Sequence, residues 1–120
     1  MTREGDASGA VEDDTSAAAE QLVGLDRLLH EPARLAIVSC LYVIEKADFV
    51  FLQNQTGFTA GNLSSHVSKL EDAGYVGVEK RFVGKRPQTL LTLTGAGRAA
   101  FDDYRSTMRS VLDGVDAATN

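Results

Sequence analysis

Residues 59 to 73 read Thr-Ala-Gly-Asn-Leu-Ser-Ser-His-Val-Ser-Lys-Leu-Glu-Asp-Ala, and this stretch says more about the architecture than any other part of the chain. Counted at 100° per residue, one side of a helix carries the apolar residues Ala60, Leu63, Val67 and Leu70. The opposite side carries small and hydrogen-bonding residues: Gly61, Asn62, Ser65, Ser68, Lys69 and Asp72. The hydroxyl of Thr59 can cap this helix and Gly74 can end it. The sequence therefore predicts an amphipathic helix between these two residues.

A shorter helix is predicted directly before it. Asp48 can cap this helix, which carries Phe49, Phe51 and Leu52, and Gly57 can end it in the left-handed conformation. A short strand at 47–49 is an alternative that the residues leave open. Two helices joined by a tight turn that contains glycine make a helix-turn-helix.

The periodicity changes after residue 74 from that of a helix to that of strands. Val76, Val78 and Phe82 alternate along the first segment, Tyr75 to Phe82, and Leu91 and Leu93 alternate along the second, Thr89 to Thr94. Two strands are therefore predicted to face a common core, with Gly84 and Pro87 marking the turn. Four cations lie around that turn: Lys80, Arg81, Lys85 and Arg86. The pattern predicts a basic β-hairpin, which we call the wing.

Apolar residues also repeat at helical spacing near both ends of the chain. The spacing of Ala18, Leu22, Leu25 and Leu29 predicts a first helix from about Thr15 to His30. Glu31-Pro32 predicts the start of a second, mostly buried helix, because proline at the first helical position has no amide hydrogen to lose. The last helix carries a heptad-like stripe of Phe101, Tyr104, Met108, Val111 and Val115.

A core of this size leaves little inner surface to cover that stripe. We therefore expect the terminal helices to form a homodimer. The predicted dimer interface comprises Leu22, Leu25, Leu29, Phe101, Tyr104, Met108, Val111 and Leu112.

Together these elements predict a mainly α (α+β) fold, a winged helix-turn-helix with a two-stranded wing and terminal dimerisation helices. The 120 residues, 43% of them hydrophobic, suit one small domain. We expect a disordered acidic tail at 1–15, the domain at 16–115 and a flexible C-terminus at 116–120. A single cysteine excludes an intrachain disulfide, and no segment resembles a secretion signal or a membrane span. These features predict a cytoplasmic protein without a membrane partner.

The net charge of -5 argues at first against a polyanionic partner. The charge is unevenly distributed, however, because residues 1–15 carry five acidic side chains and one basic one, while residues 75–94 carry four basic and one acidic. Charges farther apart than a Debye length of about 8 Å are largely screened at physiological salt. A local basic hairpin can therefore bind phosphates on an acidic body.

The polar face of the helix at 59–73 has the chemistry of a surface that reads base edges. Asparagine can pair with adenine, serine can serve either base edge, and small residues let the helix backbone approach the major groove closely. We predict that this helix contacts DNA through Thr59, Gly61, Asn62, Ser64, Ser65, His66, Ser68 and Lys69. The wing cations Lys80, Arg81, Lys85 and Arg86 are predicted to contact the phosphate backbone or the minor groove. A solvated helix face and a solvated loop are the structural alternatives.

Three runs of residues resemble small winged-helix regulators of the MarR/ArsR-like type. They are Phe51 to Val76, Glu31 to Ile37 and Leu91 to Arg98, within a resemblance that covers roughly residues 22–112. The resemblance implies that the helix after the turn reads the major groove, that the hairpin touches the flanking groove and that the terminal helices form the dimer. We therefore expect a sequence-specific double-stranded DNA-binding transcription regulator, a homodimeric repressor whose two-fold symmetry requires a palindromic operator. The resemblance also allows a small-molecule effector, which the residues do not identify. The cysteines of the metal-sensing members are absent here, so neither metal nor cofactor is expected.

Other chemistry-bearing residues have simpler structural interpretations. Cys40 lies in an apolar run and is interpreted as buried packing rather than a redox switch. His30, His66 and Cys40 are too few, and not at ligand spacing, for a metal site. The run 95–97, Gly-Ala-Gly, is too short for a nucleotide site and is interpreted as the start of a closely packed helix.

No nucleophile with a matching base is found, so enzymatic activity is not expected. The alternative function is a winged-helix protein-protein interaction module without specific DNA binding.

Overall fold

The computed structural model describes residues 16–119, and the predicted acidic tail at 1–15 lies outside the described residues. The helices are α1 at 16–23, α2 at Pro32–Ile44, α3 at Phe49–Thr56, α4 at Ala60–Asp72 and α5 at Gly95–Thr119. The strands are β1 at Lys46–Asp48, β2 at Val76–Val83 and β3 at Arg86–Leu93. This arrangement confirms the predicted mainly α (α+β) class. The chain forms two compact units, a central one at Asp26–Asp102 and a terminal one from the segments on either side of it.

The helix starts of the central unit follow the predicted start at Glu31-Pro32 and the predicted caps Asp48 and Thr59. A carboxylate oxygen of Glu31 accepts the amide of Arg34 at 2.8 Å at the start of α2. Asp48 accepts the amide of Val50 at 2.6 Å at the start of α3, which ends at Gly57 with φ of 75°. The hydroxyl of Thr59 accepts the amide of Asn62 at 3.1 Å at the start of α4. Each cap satisfies amides that a helix cannot pair internally.

The three strands form one antiparallel sheet in the order β1-β3-β2. The short strand that the sequence left open as an alternative is present as β1, which pairs with residues 90–92 of β3 and is followed at once by α3. In the wing, Val83 pairs with Arg86, so Gly84 and Lys85 form a two-residue turn. Gly84 has a φ of 65°, the conformation that glycine supplies at the first position of a type II′ turn.

The wing strands extend farther toward the tip than predicted. Pro87 lies inside β3 opposite Phe82, not in the turn. Strand pairs alternate between hydrogen-bonded and non-hydrogen-bonded ones, and the pair next to Val83–Arg86 is of the second kind, so proline loses no ladder hydrogen bond there. β1 pairs only with residues 90–92, which leaves the other edge of β3 open at Pro87.

The core of the central unit lies between the three helices and one face of the sheet. Its fully buried side chains are Leu29, Ile37, Val38, Leu41, Leu52, Leu63, Leu70 and Leu91. The predicted inner face of α4 is confirmed for Leu63, Val67 and Leu70. The prediction that Phe82 faces the core is wrong, because this side chain is 73% exposed. Six residues at about 3.3 Å each carry it roughly 20 Å along the strand from the buried Val76.

The first helix is shorter than predicted and ends at residue 23, not at His30. After Gly24, a side-chain oxygen of Asp26 accepts the amides of Leu28 at 2.9 Å and Leu29 at 3.3 Å. This side chain offers the backbone an alternative to helical hydrogen bonds, so the segment forms a turn. The turn places Leu29 in the core of the central unit.

The first turn of α5 packs closely against the segment that joins α4 to β2. A Cβ atom on Gly97 would lie 2.2 Å from the carbonyl oxygen of Tyr75 and 2.8 Å from a methyl carbon of Leu93. The hydroxyl of Thr94 accepts the amide of Gly97 at 2.9 Å and donates to the carbonyl of Gly74 at 2.6 Å. The predicted closely packed helix start is confirmed.

The terminal unit contains α1 and the C-terminal part of α5. The amide of the Gln21 side chain donates to the Ser110 hydroxyl at 3.1 Å and links the two helices. α5 continues past the predicted domain end at residue 115, and the Thr119 hydroxyl donates to the carbonyl of Val115 at 3.0 Å. Residues 116–119, predicted to be flexible, are therefore helical, as their two alanines favour.

Candidate nucleic-acid interface

The outer face of α4 is polar and exposed, and apart from Lys69 its residues predicted to read DNA have small or medium-sized side chains. Of the residues predicted to read DNA, seven are exposed: Thr59, Gly61, Asn62, Ser64, Ser65, Ser68 and Lys69. The buried leucines on the opposite side hold the helix against the core. Because most side chains on this face are small, the helix backbone can approach the major groove of DNA closely.

His66 differs from the other predicted reading residues because it is half-buried. A guanidinium nitrogen of Arg34 lies 3.2 Å from its Nδ1. Guanidinium groups only donate, so Nδ1 is the acceptor in this pair. The Arg34 Nε also donates to the carbonyl of Leu28 at 2.6 Å. His66 therefore positions α4 against α2, a role that its spacing in the sequence could not reveal because Arg34 lies 32 residues earlier.

The wing presents two chemically different faces, because neighbouring residues of a strand project to opposite sides. The face on the α4 side carries Lys80 and Phe82 from β2 and their partners Thr89 and Pro87 from β3. The other face carries Arg81, Val83, Arg86 and Gln88. All four predicted wing cations are exposed, with Lys85 in the turn itself. The sequence predicted these four cations as one basic group, but the strand register places Lys80 on the α4 side of the wing and Arg81 and Arg86 on the other side.

The face away from α4 is joined to the start of α3 by side-chain hydrogen bonds. The Nε of Arg81 donates to the Gln88 side-chain oxygen at 2.9 Å, and the Gln88 side-chain nitrogen donates to Asp48 at 2.8 Å. The Gln88 hydrogen bond, together with the amides of Val50 and Phe51, lowers the pKa of Asp48. Asp48 therefore both caps α3 and anchors the wing.

A groove lies between α4 and the wing, and residues of both line it. Its volume is about 310 Å³. α4 contributes Ser64, Ser68 and Glu71, and the wing contributes Val78, Lys80 and Thr89. The polar edge of α4 and the α4-facing side of the wing therefore form one continuous surface.

Residues 33–112 match the family model described as a winged helix DNA-binding domain. The chain belongs to this family. The winged-helix fold predicted from the sequence is thereby confirmed, with α3 and α4 as the helix-turn-helix and β2 and β3 as the wing.

Relatives of this winged-helix chain include both sequences and solved structures. An uncharacterized protein of Methanocaldococcus jannaschii is 33% identical over 78 residues, which cover 65% of this chain and 85% of that protein. The structure of a transcriptional regulator homologue from Pyrococcus horikoshii OT3 is 30% identical with a TM-score of 0.73, covering 87% of this chain and 98% of that one. Bordetella bronchiseptica BpsR, 13% identical with a TM-score of 0.62, covers 89% and 81% respectively and shows the fold alone.

Cys40 is half-buried rather than buried as predicted, because it lies at the edge of an apolar cavity. The cavity has a volume of about 290 Å³ and is lined by Ser39, Cys40, Val43, Ile44, Phe51 and Gln55.

Within residues 16–119, no three histidine, cysteine or acidic side chains come together as metal ligands. No helix in that same part of the winged-helix chain has the length and apolar character to cross a membrane.

The residues predicted to form a dimer differ in exposure. Leu29 and Phe101 are buried in the central unit, and Leu25, Tyr104 and Val111 are buried in the terminal segments. Met108 is half-buried. The terminal unit exposes Leu22, Val23, Leu112 and Val115, with exposures of 42% to 72%. These four residues are the apolar surface of α1 and α5 that a second copy could cover.

Proposed function

We propose that this winged-helix chain is a sequence-specific transcription regulator that binds a palindromic operator as a homodimer and acts as a repressor. The observation that carries the proposal is the continuous surface formed by the polar face of α4 and the basic wing. α4 lies in the major groove, where Asn62, Ser65 and Lys69 meet base edges. Lys85 and Arg86 at the wing tip meet phosphates and set the register.

The terminal unit supports the proposal of a homodimer. Two helices alone have little interior, yet this unit exposes Leu22, Val23, Leu112 and Val115. Covering such a patch with a second copy removes apolar surface from water. A two-fold axis then repeats α4 about 34 Å away, so the operator half-sites lie roughly 10 base pairs apart. A dimer bound there blocks access to promoter DNA, and repression is the simplest result.

A small-molecule effector is part of the proposal through the apolar cavity beside Cys40. This cavity is an open groove between α2 and α3 with a mainly apolar surface, and its volume of about 290 Å³ suits a small aromatic ligand. The DNA binding of BpsR, a neighbour in fold, is regulated by 6-hydroxynicotinic acid. A ligand between α2 and the first helix of the helix-turn-helix would shift α4 by repacking α3.

The test of DNA binding is the selection of bound sequences from a random duplex library, followed by titration of the selected site at several salt concentrations. We expect an imperfect palindrome. The double variant Lys85→Ala with Arg86→Ala should reduce the slope of log affinity against log salt by about 1.8, because two phosphate contacts are lost. Asn62→Ala should change the preferred base at one position of each half-site without changing this slope.

Arg109→Ala is the matched control, since it removes an exposed cation from α5 instead of the wing. Its salt slope should equal that of the wild type. If no sequence is enriched and the chain binds duplex DNA weakly even at low salt, the proposal fails. The interaction module is then favoured, since the groove carries Glu71 and α4 has few cations.

A further inference from the structure

Phe82 is the most exposed aromatic side chain in the part of the chain that the structure describes, at 73%. It lies two residues from the tip of the wing, far beyond the core that holds Val76. Its cross-strand partner is Pro87, and side chains in such a non-hydrogen-bonded pair lie close together. Phe82 and Pro87 are thus two apolar side chains exposed to solvent near the tip of a charged hairpin.

The register places Phe82 on the DNA-facing side of the wing in the proposed complex. Val78 and Lys80 of the same strand line the groove beside α4. Phe82 follows Lys80 by two residues and therefore projects to the same side, one step nearer the tip. Val83 projects to the opposite side, together with Arg81 and Gln88.

The charges around Phe82 determine which partner suits it. Lys80, Arg81, Lys85 and Arg86 all lie within four residues of it along the strand or turn. A partner that suits this tip must therefore carry negative charges along its outer edges and have an apolar space between them that accepts the ring of Phe82. The minor groove of duplex DNA has both properties, because phosphates line its edges and base pairs can be parted by an apolar wedge.

We propose that Phe82 enters the minor groove next to the site of α4, unstacks a base step there and bends the duplex. This inference rests on the proposed DNA binding of the chain. Pro87 supports the ring from the opposite strand, and the wing cations hold the phosphates on either side. The wing then contributes to specificity indirectly, because flexible base steps are easier to unstack than stiff ones.

The chain contains no tryptophan, so a single tryptophan can report on the wing. The probe is a mixed-sequence duplex of on the order of 30 base pairs, about three helical turns, at low salt. The full-length F82W variant should lose fluorescence on binding, because its ring stacks on a base. The V83W variant, with its ring on the opposite face, is the matched control and should change little.

Two further measurements use the same duplex. F82A should bind on the order of 10-fold more weakly than the wild type, as expected for a lost aromatic contact with a base. Its salt slope should stay unchanged, because no charge is removed. Energy transfer between dyes at the duplex ends should show that the wild type bends the DNA and that F82A does not, while F82L keeps most of the bend because leucine also acts as a wedge.

The inference is overturned if the wild type binds the duplex but F82A binds and bends it equally well, with F82W no more quenched than V83W. The proposed DNA binding would survive that result. It is also overturned if F82A lowers the molecular mass of the free protein in light scattering, because Phe82 would then lie between two copies. Failure of the wild type to bind the duplex at low salt would refute the proposed function itself, and the wedge with it.

Discussion

Replacing Gly97 by alanine tests the close approach of α5 to the backbone of Tyr75. The added Cβ atom would lie 2.2 Å from the carbonyl oxygen of Tyr75, about 1 Å nearer than an ordinary contact allows. The carbonyl of Tyr75 cannot move away at low energetic cost, because it belongs to the backbone and accepts the amide of Thr94 at 3.0 Å. The clash must therefore move α5 away from the segment that joins α4 to β2.

The size of the effect follows from three contributions. Overpacking costs about 1 to 3 kcal/mol, and weakening the Thr94 hydrogen bond costs about 1 kcal/mol more. Alanine in place of glycine inside a helix returns about 1 kcal/mol. We expect Gly97→Ala to lower the free energy of unfolding by about 2 kcal/mol. For a chain of this length, that corresponds to a fall in Tm of roughly 8 °C.

Thermal unfolding followed by circular dichroism measures this change, with Gly95→Ala as the matched control. Gly95 begins the same helix, but no atom outside its local backbone lies within 4 Å of a Cβ placed there. Its replacement should leave the Tm unchanged or raise it by a few degrees at most, since helix propensity improves. Equal Tm values for the two variants would refute the close approach of Gly97 and Tyr75.

Three further predictions concern single contacts. The hydrogen bond to Asp26 raises the pKa of Tyr75 to about 12, so the unfolded chain, whose tyrosine pKa is about 10, loses this proton first as the pH rises. Between about pH 10 and about pH 12, the free energy of unfolding should fall more steeply with pH in the wild type than in Tyr75→Phe. Equal slopes for the two proteins, measured by urea unfolding at several pH values, would contradict this. His66→Ala removes the acceptor of Arg34 and should cost about 1 to 3 kcal/mol in urea unfolding, whereas His66→Asn, which can still accept, should cost clearly less. Leu112→Glu places a charge on the exposed patch of α5 and should convert the proposed dimer to a monomer in light scattering, while Arg109→Ala should leave the mass unchanged.

Local signals along the chain predicted most of the helix boundaries correctly. Glu31, Asp48 and Thr59 cap helices because each side chain reaches an amide two or three residues later. Gly57 ends α3 because its backbone conformation, with φ of 75°, is unfavourable for other residues. These interactions lie within one turn of the chain, so they can be read from short stretches of sequence.

Features that depend on distant partners could not be predicted in this way. The DNA contact predicted for His66 stays a prediction, but its hydrogen bond with Arg34 of α2 could not be read from α4 alone, because Arg34 lies 32 residues earlier. Phe82 looked like a core residue because it alternates with Val76 and Val78, but the hairpin extends beyond the body that could cover it. Alternation indicates which residues share a face, not where along a strand the core ends.

The division of the wing cations changes how the surface is expected to work. Arg81 is held by Gln88, which is itself held by Asp48 at the start of α3. A movement of α3, including one caused by a ligand beside Phe51, would therefore reach the wing through this chain of hydrogen bonds and α4 through the turn that joins α3 to α4. Lys80 faces α4 across the groove and lies outside this network of hydrogen bonds. The wing is held at the start of α3, and α3 leads into α4 through the turn at 57–59, which is a physical reason for expecting the wing and α4 to bind or release DNA together.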